Sequence, residues 1–544
     1  MPSQSDTINL INAVLSEHTA YWKQNMAQMK RLRQAYLTKF WEGADTAPEM
    51  IQIETADAYS FIESFIAALF SKAPAIEVDS NRVANDEKAI VKEVCNNFLY
   101  HQRKALENAT RNALIYPMSF LKMAPQESED PLNRVRVKAC VPWDIIVDRE
   151  ADDWDSQRWV GHKYYITMTE ARQRYGAKKF HSVRKEDYFN DRQSTDTSIP
   201  SSYEFVEVIE FYDMNAGKLY IYSPNYGTGD KLLETSDIPL STYDGQPLVA
   251  IAPLYYAQVP DKPLEGYSTL ARVYSQLFEK NVLRTFWANA VRRDSRQYIV
   301  KEGVFDEDSL AKITAGVDGA IIPVDTESIS GIIQAVPVSP LSSNHDRYLN
   351  YIENDINRGS ILAPFAKGEA TRATATEITA LAQYSASEIG RMARERDEVI
   401  ERIANIYTRM LSILVEENEK PVVVVGGKPQ FLTTDILDNP FRFAALDQAN
   451  TPLSEVIKSQ RLIELVPLLT QLGVQPATIR DEIVRAFDLP EGFKSDNDPE
   501  PQPEAKVRSA PSDLPSGPSG QAPSEQLAQE LVAGARSIPL ATAQ

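Results

Sequence analysis

Five acids crowd one short stretch of this chain. Asp148, Glu150, Asp152, Asp153 and Asp155 fall within VPWDIIVDREADDWD, residues Val141–Asp155. Carboxylates at such density are donors for a hard cation such as Mg²⁺ or Ca²⁺, and a metal-assisted hydrolase would use one to activate water. The spacing departs from the EF-hand loop, which needs a glycine at its sixth place and a closing glutamate. A strand running into a solvated acidic turn is the simpler reading. Lys428 follows Gly426 and Gly427 in VVVVGGKP. A phosphate-binding loop would need its first glycine where Val422 stands and a Ser or Thr in place of Pro429. Two strands around a Gly-Gly hairpin turn fit better. Gly266-Tyr267-Ser268 is no nucleophile elbow, because Leu270 replaces the second glycine. Gly227 and Gly229 lack the third glycine and the strand-loop-helix setting of a nucleotide site. His18, His101, His162, His181 and His345 are scattered, without metal-ligand spacing. No catalytic set, metal or cofactor is expected. Cys95 on a helix and Cys140 on a strand read as buried packing in a reducing compartment.

The elements around these residues are better defined than the chemistry. A chain of 544 residues and 61.0 kDa has room for roughly two to four globular parts. Its 43% apolar content supports real cores. No apolar run approaches the ~20 residues of a membrane span, and the nearest, Phe61–Phe70, carries Glu63. The N-terminus lacks a basic-then-apolar leader, so synthesis and work inside a cytoplasm are expected. A net charge of −19 argues against tight nucleic-acid binding over the whole surface. It leaves room for a protein that nucleic acid passes without sticking.

Taken in order, Asp6–Trp41, Thr55–Ser71 and Asn85 to about Ile115 read as helices, with a short strand at Ile76 and Val78. Ser119–Met123 and Val135–Val141 read as paired strands, and Tyr203–Tyr222 as a hairpin turning at Met214–Gly217. Leu248–Tyr256 is a further strand. Gly266–Val291 and His345–Ser360 read as helices flanking a small module with strands at Gln297–Val300, Ala320–Val324 and Ile332–Val338 and a helix at Glu307–Thr314. A loop with Pro364, Gly368, Lys367, Glu369 and Arg372 then leads to a helix of about 44 residues, roughly 65 Å long. Thr374 and Glu377 form a capping box at its start. Ile378, Leu381, Ile389, Met392, Val399, Ile403, Ile406, Met410 and Leu414 make its inward face. Helices at Leu453–Leu472 and Pro476–Phe487 precede a Pro/Ser/Gly-rich tail from about residue 494, too poor in apolar surface to fold alone. Within it Gln526–Ala533 forms a short amphipathic patch.

The order of these elements resembles that of the portal proteins, or head-to-tail connectors, of tailed bacteriophages, most closely those of short-tailed phages. LFSKAPAIEV (Leu69–Val78) resembles the early portal pattern of a helix ending in proline and a strand. ALIYPMSFLKM (Ala113–Met123) resembles its helix-to-strand passage, with Pro117 where the family usually has glycine. Val141–Gly176 is similar to the wing segment with its aspartate-rich turn. EFVEVIEFYD is similar to the wing hairpin, EGYSTLARVYSQLFEKN to the first stem helix, and GAIIPV (Gly319–Val324) to a clip strand. TRATATEI (Thr371–Ile378) resembles the [ST]-A-[ST]-E lead-in to the long wing helix, and is the most specific of these matches. The likeness spans roughly Ile8–Phe487.

The resemblance implies an α+β portal fold in a ring oligomer. Residues 1–265 would be the wing, 266–291 and 341–360 stem helices, and 292–340 the clip. Residues 361–373 would be the tunnel loop, 374–452 the long wing helix and following hairpin, 453–493 a helical crown and 494–544 a disordered tail. The implied function is a dodecameric, non-enzymatic channel for double-stranded DNA at one capsid vertex, made in the host cytoplasm and carried in the virion. Its implied partners are the terminase large subunit, tail adaptors, the major capsid protein and scaffolding or internal core proteins, with no membrane. Twelve acidic chains would repel DNA only within the ~8 Å reach of screened charge. Lys367 and Arg372, with Glu369 beside them, are candidates for weak phosphate contacts at the constriction. Arg292, Arg293 and Arg296 are candidates for clip docking. The arginine-rich face RMARERDEVIER of the long helix reads as intersubunit or solvated ion pairs. Two rival classes are another phage structural subunit, such as a capsid or adaptor protein, and a metal-assisted hydrolase working through Asp148–Asp155.

Overall fold

Apolar residues at helical spacing build the first half of the core. α1 (Gln4–Tyr36) and α2 (Asp57–Leu69) are followed by α3 (Asn85–Ile115), with β1 (Ile76–Asp79) between α2 and α3. A computed structural model describes residues 4–42, 50–176, 180–183, 204–227, 231–294, 298–300, 305–315, 333–335, 344–359, 375–416 and 418–446. Residues 1–465 form one compact unit and 466–544 a second, and every described residue lies in the first. α2 buries Phe61, Ile62, Phe65, Ile66 and Leu69, which fall on one broad face of the helix. α3 starts where the Glu87 carboxylate accepts the Ala84 amide at 3.2 Å. It stops before Pro117, whose ring has no amide to continue the ladder.

Two antiparallel sheets follow. β2 (Ser119–Pro125) sits between β3 (Val135–Cys140) and a later strand, β9. The second sheet is a five-stranded meander of β4 (Ile145–Val147), β5 (Trp159–Thr167), β6 (Phe205–Asp213), β7 (Lys218–Tyr222) and β8 (Leu232–Asp237). The helix α4 (Met168–Tyr175) lies between β5 and β6 in the chain. The β6–β7 hairpin pairs Asp213 with Lys218 and turns through Gly217 at φ +64°. β9 is Ile251–Leu254, and β10 (Gln258–Val259) pairs with β11 (Lys262–Gly266).

The helix expected from Gly266 begins later, at Tyr274, as α5 (Tyr274–Asp294). Gly266 ends β11 against the chain just beyond α3: a Cβ there would lie 1.7 Å from the Pro117 carbonyl oxygen. Two residues on, the buried Ser268 hydroxyl donates to the Ile115 carbonyl at 2.7 Å and accepts the Ala271 amide at 3.1 Å. The Gly-x-Ser element thus caps the end of α3 and starts the approach to α5.

Between α5 and α7 (Asn344–Gly359) the chain forms β12 (Tyr298–Val300), α6 (Glu307–Ala315) and β13 (Ile333–Ala335), with β12 and β13 antiparallel. The strand expected at Ala320–Val324 lies outside the described residues. α8 (Ala375–Leu414) runs 40 residues, about 60 Å. From Ile389 onward it is buried more broadly than one stripe, because Ala393, Ile400, Ala404, Tyr407 and Leu411 are inside as well. Helices α2 and α3 contact it, as do β9 and a last strand, β16. Beyond it, β14 (Val422–Val425) and β15 (Lys428–Phe431) form the expected hairpin, with Gly426 and Gly427 at φ +55° and +78°. α9 (Thr434–Leu437) leads to β16 (Arg442–Ala445), which pairs with β1 from the other end of the chain. Helices with antiparallel sheets make the fold α+β.

Candidate assembly surface

α5 carries two different polar and apolar stripes. Asn281, Thr285 and Asn289, spaced by four, face a strap formed by residues 50–55. Thr55 donates its amide to Asn281 Oδ1 at 2.9 Å, Ile53 to Thr285 Oγ1 at 2.8 Å and Ile51 to Asn289 Oδ1 at 2.9 Å. Asn289 Nδ2 returns a bond to the Ile51 carbonyl at 2.7 Å, and the Trp41 indole donates to the Ile53 carbonyl at 3.0 Å. The alternation 51, 53, 55 is that of an extended chain, so a helix presents the partners that a neighbouring strand would supply. The strap runs antiparallel to α5, its number rising as the helix number falls.

The second stripe lies about 60° round the helix. Phe278, Val282 and Phe286, again four apart, are 39%, 40% and 57% exposed. Phe278 also meets the rings of Trp41 and Tyr274 at 6.1 and 6.4 Å, while Val282 and Phe286 extend the apolar stripe away from them. α7 packs on α5 antiparallel: Trp287 meets His345 with ring centroids 6.0 Å apart, and Lys280 reaches Glu353 at 3.3 Å. Lys280 also binds Asp57 of α2 at 3.0 Å, tying the pair to the main body. α7 adds the exposed Tyr348 and Tyr351.

Several sequence candidates fall beyond description. Lys367, Glu369, Arg372 and Thr374, with Arg296, lie outside the described residues, as do the side chains of Arg293 and Glu377. So do the helices expected at 453–472 and 476–487 and the tail. Arg292 is exposed near the end of α5.

The acidic stretch closes on protein groups. Asp148 is buried, not solvated: Arg158 holds both its oxygens, with Nη2–Oδ1 at 2.8 Å, and this keeps its carboxyl below the usual range. The Gln157 side chain clasps the Asp148 backbone amide and carbonyl at 2.8 and 3.0 Å. Glu150 takes Arg158 at 3.0 Å, and Asp153 accepts the Ser156 amide at 2.7 Å. Asp155 binds Arg402 of α8 through both oxygens, at 2.5 and 2.9 Å. Among the described residues no group of three or more His, Cys, Asp or Glu side chains is arranged to hold a metal.

The arginine-rich face of α8 also differs from expectation, because much of it pairs within the chain. Arg396 is buried, donating to the Leu69 carbonyl at the end of α2 and to Asp397 at 2.5 Å. Arg391 reaches the Tyr256 carbonyl at 2.5 Å. These arginines complement the negative C-terminal end of α2 and the carbonyl of the buried Tyr256, a role that helical spacing alone does not reveal. Both cysteines are buried thiols, and burial pushes Cys140 up to about 11.

No known family model matches this chain, and no curated protein matches it either.

Proposed function

We propose that this chain is the subunit of a bacteriophage portal, a ring whose channel passes double-stranded DNA and whose outer surface docks the packaging motor and tail adaptor. The observation that carries the reading is the exposed Phe278–Val282–Phe286 stripe on α5. Such a stripe is costly on a solitary chain and is satisfied when copies close around an axis. Three further features support it. An antiparallel helix pair brackets a small α/β insert, a 40-residue helix follows, and α2, α5 and α7 are tied together through Lys280. In this reading α5 and α7 are stem helices and the insert is the clip. The segment 361–373 is the constriction, with Lys367 and Arg372 as its cations and Glu369 beside them. Arg292, Arg293 and Arg296 belong to the docking face. The engaged state of Asp148, Glu150, Asp153 and Asp155 favours this structural role over a carboxylate-based hydrolase.

Light scattering on the purified chain tests the reading. A portal subunit gives a mass near twelve chains, an expectation that rests on the family resemblance, and Phe286→Ser with Phe278→Ser shifts it toward monomer while circular dichroism stays unchanged. A monomer at all concentrations overturns the proposal. Deleting 361–373 is expected to spare the ring and impair DNA packaging or retention.

A further inference from the structure

The antiparallel pair α5 and α7 is a two-helix layer whose outer edges differ. On α5, Lys280 and Trp287 face α7. Val282 follows Lys280 by two residues, about 200° round the helix, so the Phe278–Val282–Phe286 stripe looks away from α7. On α7, His345 and Glu353 face α5. Counted from His345, the residues Arg347, Tyr351 and Arg358 fall at about 200°, 240° and 220° round the helix. All three are exposed, Tyr351 at 65%, while the next residue, Ile352, is buried. The layer therefore ends in an apolar stripe on its α5 side and in an arginine–tyrosine line on its α7 side.

The two edges also agree in height. Trp287–His345 and Lys280–Glu353 fix the register of the pair. On that register Phe286 stands level with Arg347, and Val282 with Tyr351, to within about one residue. A second copy related by rotation about an axis along the helices keeps the same level. Its Tyr351 then meets the middle of the stripe, between Phe278 and Phe286. Charge agrees with this placement. The exposed Glu279, which accepts the Tyr348 hydroxyl within its own chain, borders the stripe, and Arg347 and Arg358 flank Tyr351. Asp355 stands off that line by about 60°. A stripe-on-stripe contact would instead close at two copies and leave both Tyr351 side chains in water.

We propose that the Arg347–Tyr351–Arg358 line of one copy seats head to tail on the Phe278–Val282–Phe286 stripe of the next. This rests on the ring reading above and names the surface that meets the stripe in it. Tyr351 packs between the two phenylalanine rings, edge or offset face against them. The Arg347 guanidinium lies over the Phe286 ring as a cation on an aromatic face. Tyrosine and arginine in the middle of a packed contact carry a large share of its binding energy. Because each copy lends two different surfaces, the contact repeats from chain to chain and closes into a ring.

Val282→Cys together with Tyr351→Cys in the full chain tests the contact. Within one chain these positions face opposite ways, so a disulfide between them joins two chains, and both native thiols are buried. Mild oxidation is expected to give a ladder of covalent oligomers on a non-reducing gel, with neither single variant forming the ladder. Light scattering before oxidation separates this contact from the ring reading. A large particle that yields no ladder overturns the contact and leaves the ring standing. So does a large particle in which Val282→Cys alone gives as much product as the double variant. A monomeric wild-type chain overturns both. Should the double variant fail to fold, Tyr351→Ser, at an exposed position, is expected to lower the particle mass as Phe278→Ser with Phe286→Ser does. An unchanged mass in Tyr351→Ser overturns the proposal.

Discussion

Thr285 accepts the amide of Ile53 at 2.8 Å, 232 residues away in sequence, and so fixes a stretch of main chain onto a helix. Thr285→Val keeps the shape and removes the acceptor. The Ile53 amide then loses its partner, at a cost of about 1–2 kcal/mol. Urea denaturation followed by circular dichroism is expected to show an earlier midpoint with an unchanged slope. Asn281→Leu is expected to act in the same direction, because Thr55 loses its acceptor.

Two glycines make opposite predictions. At Gly266 a Cβ would sit 1.7 Å from the Pro117 carbonyl oxygen and 3.2 Å from the Tyr255 Cβ, so Gly266→Ala must displace backbone. A loss of more than about 3 kcal/mol is expected, read as collapse of soluble yield or of the denaturation midpoint. At Gly390, within α8, a Cβ meets nothing within 4 Å. Gly390→Ala is expected to stabilise by about 0.5–1 kcal/mol, since glycine weakens a helix interior.

His18 makes the fold acid-sensitive. Its Nε2 donates to the Trp143 carbonyl at 2.9 Å, its Nδ1 is buried without a partner, and burial pushes it down to about 4. The unfolded chain takes up this proton near the ordinary value of 6.5, while the native chain refuses it until about 4. The stability from neutral His18 is therefore complete above pH 6.5 and is lost as pH falls toward 4. The loss amounts to about 3 kcal/mol. Melting temperatures between pH 7 and 4 are expected to fall less steeply in His18→Gln than in the wild type. The depressed His162 adds a loss of its own from pH 6.5 downward in both proteins, so the difference between them reports His18.

Arg396 is a buried cation held by one carbonyl and one carboxylate. Arg396→Met fills similar volume but leaves the Leu69 carbonyl and Asp397 without that guanidinium. A destabilisation of about 3 kcal/mol or more is expected. Asp155→Asn breaks an ion pair whose carboxylate is largely exposed, and should cost less than about 1 kcal/mol. Parallel urea titrations of the two variants give the comparison.

Local pattern accounts for most of what was legible in the sequence. The bounds of α3 and of the β14–β15 hairpin follow from a capping carboxylate, a proline and two glycines with positive φ. The breadth of the α8 core was not visible, because Ala393, Ala404 and Leu411 lie to one side of the stripe and are buried only by distant elements. The β1–β16 pairing joins Ile76 to Ala445, and no local signal encodes that register. Asn281, Thr285 and Asn289 did leave a trace, three short polar residues spaced by four in one helix. The contacts of Lys122 with His162 and Glu210 left none, since three different strands bring those residues together. The start of α5 at Tyr274 was hidden by the helix-friendly run after Ser268, whose hydroxyl is instead engaged by the end of α3.

The clasp between strap and helix works like a vernier. Two residues of extended chain advance about 6.7 Å, whereas four residues of helix advance about 6.0 Å. Each rung therefore adds an error of roughly 0.7 Å, and a fourth would be out of step by about 2 Å, beyond what a hydrogen bond tolerates. Three rungs are the natural limit of such a scale. Lengthening the strap would add chain without adding grip, and a shorter one would lose its place along the helix.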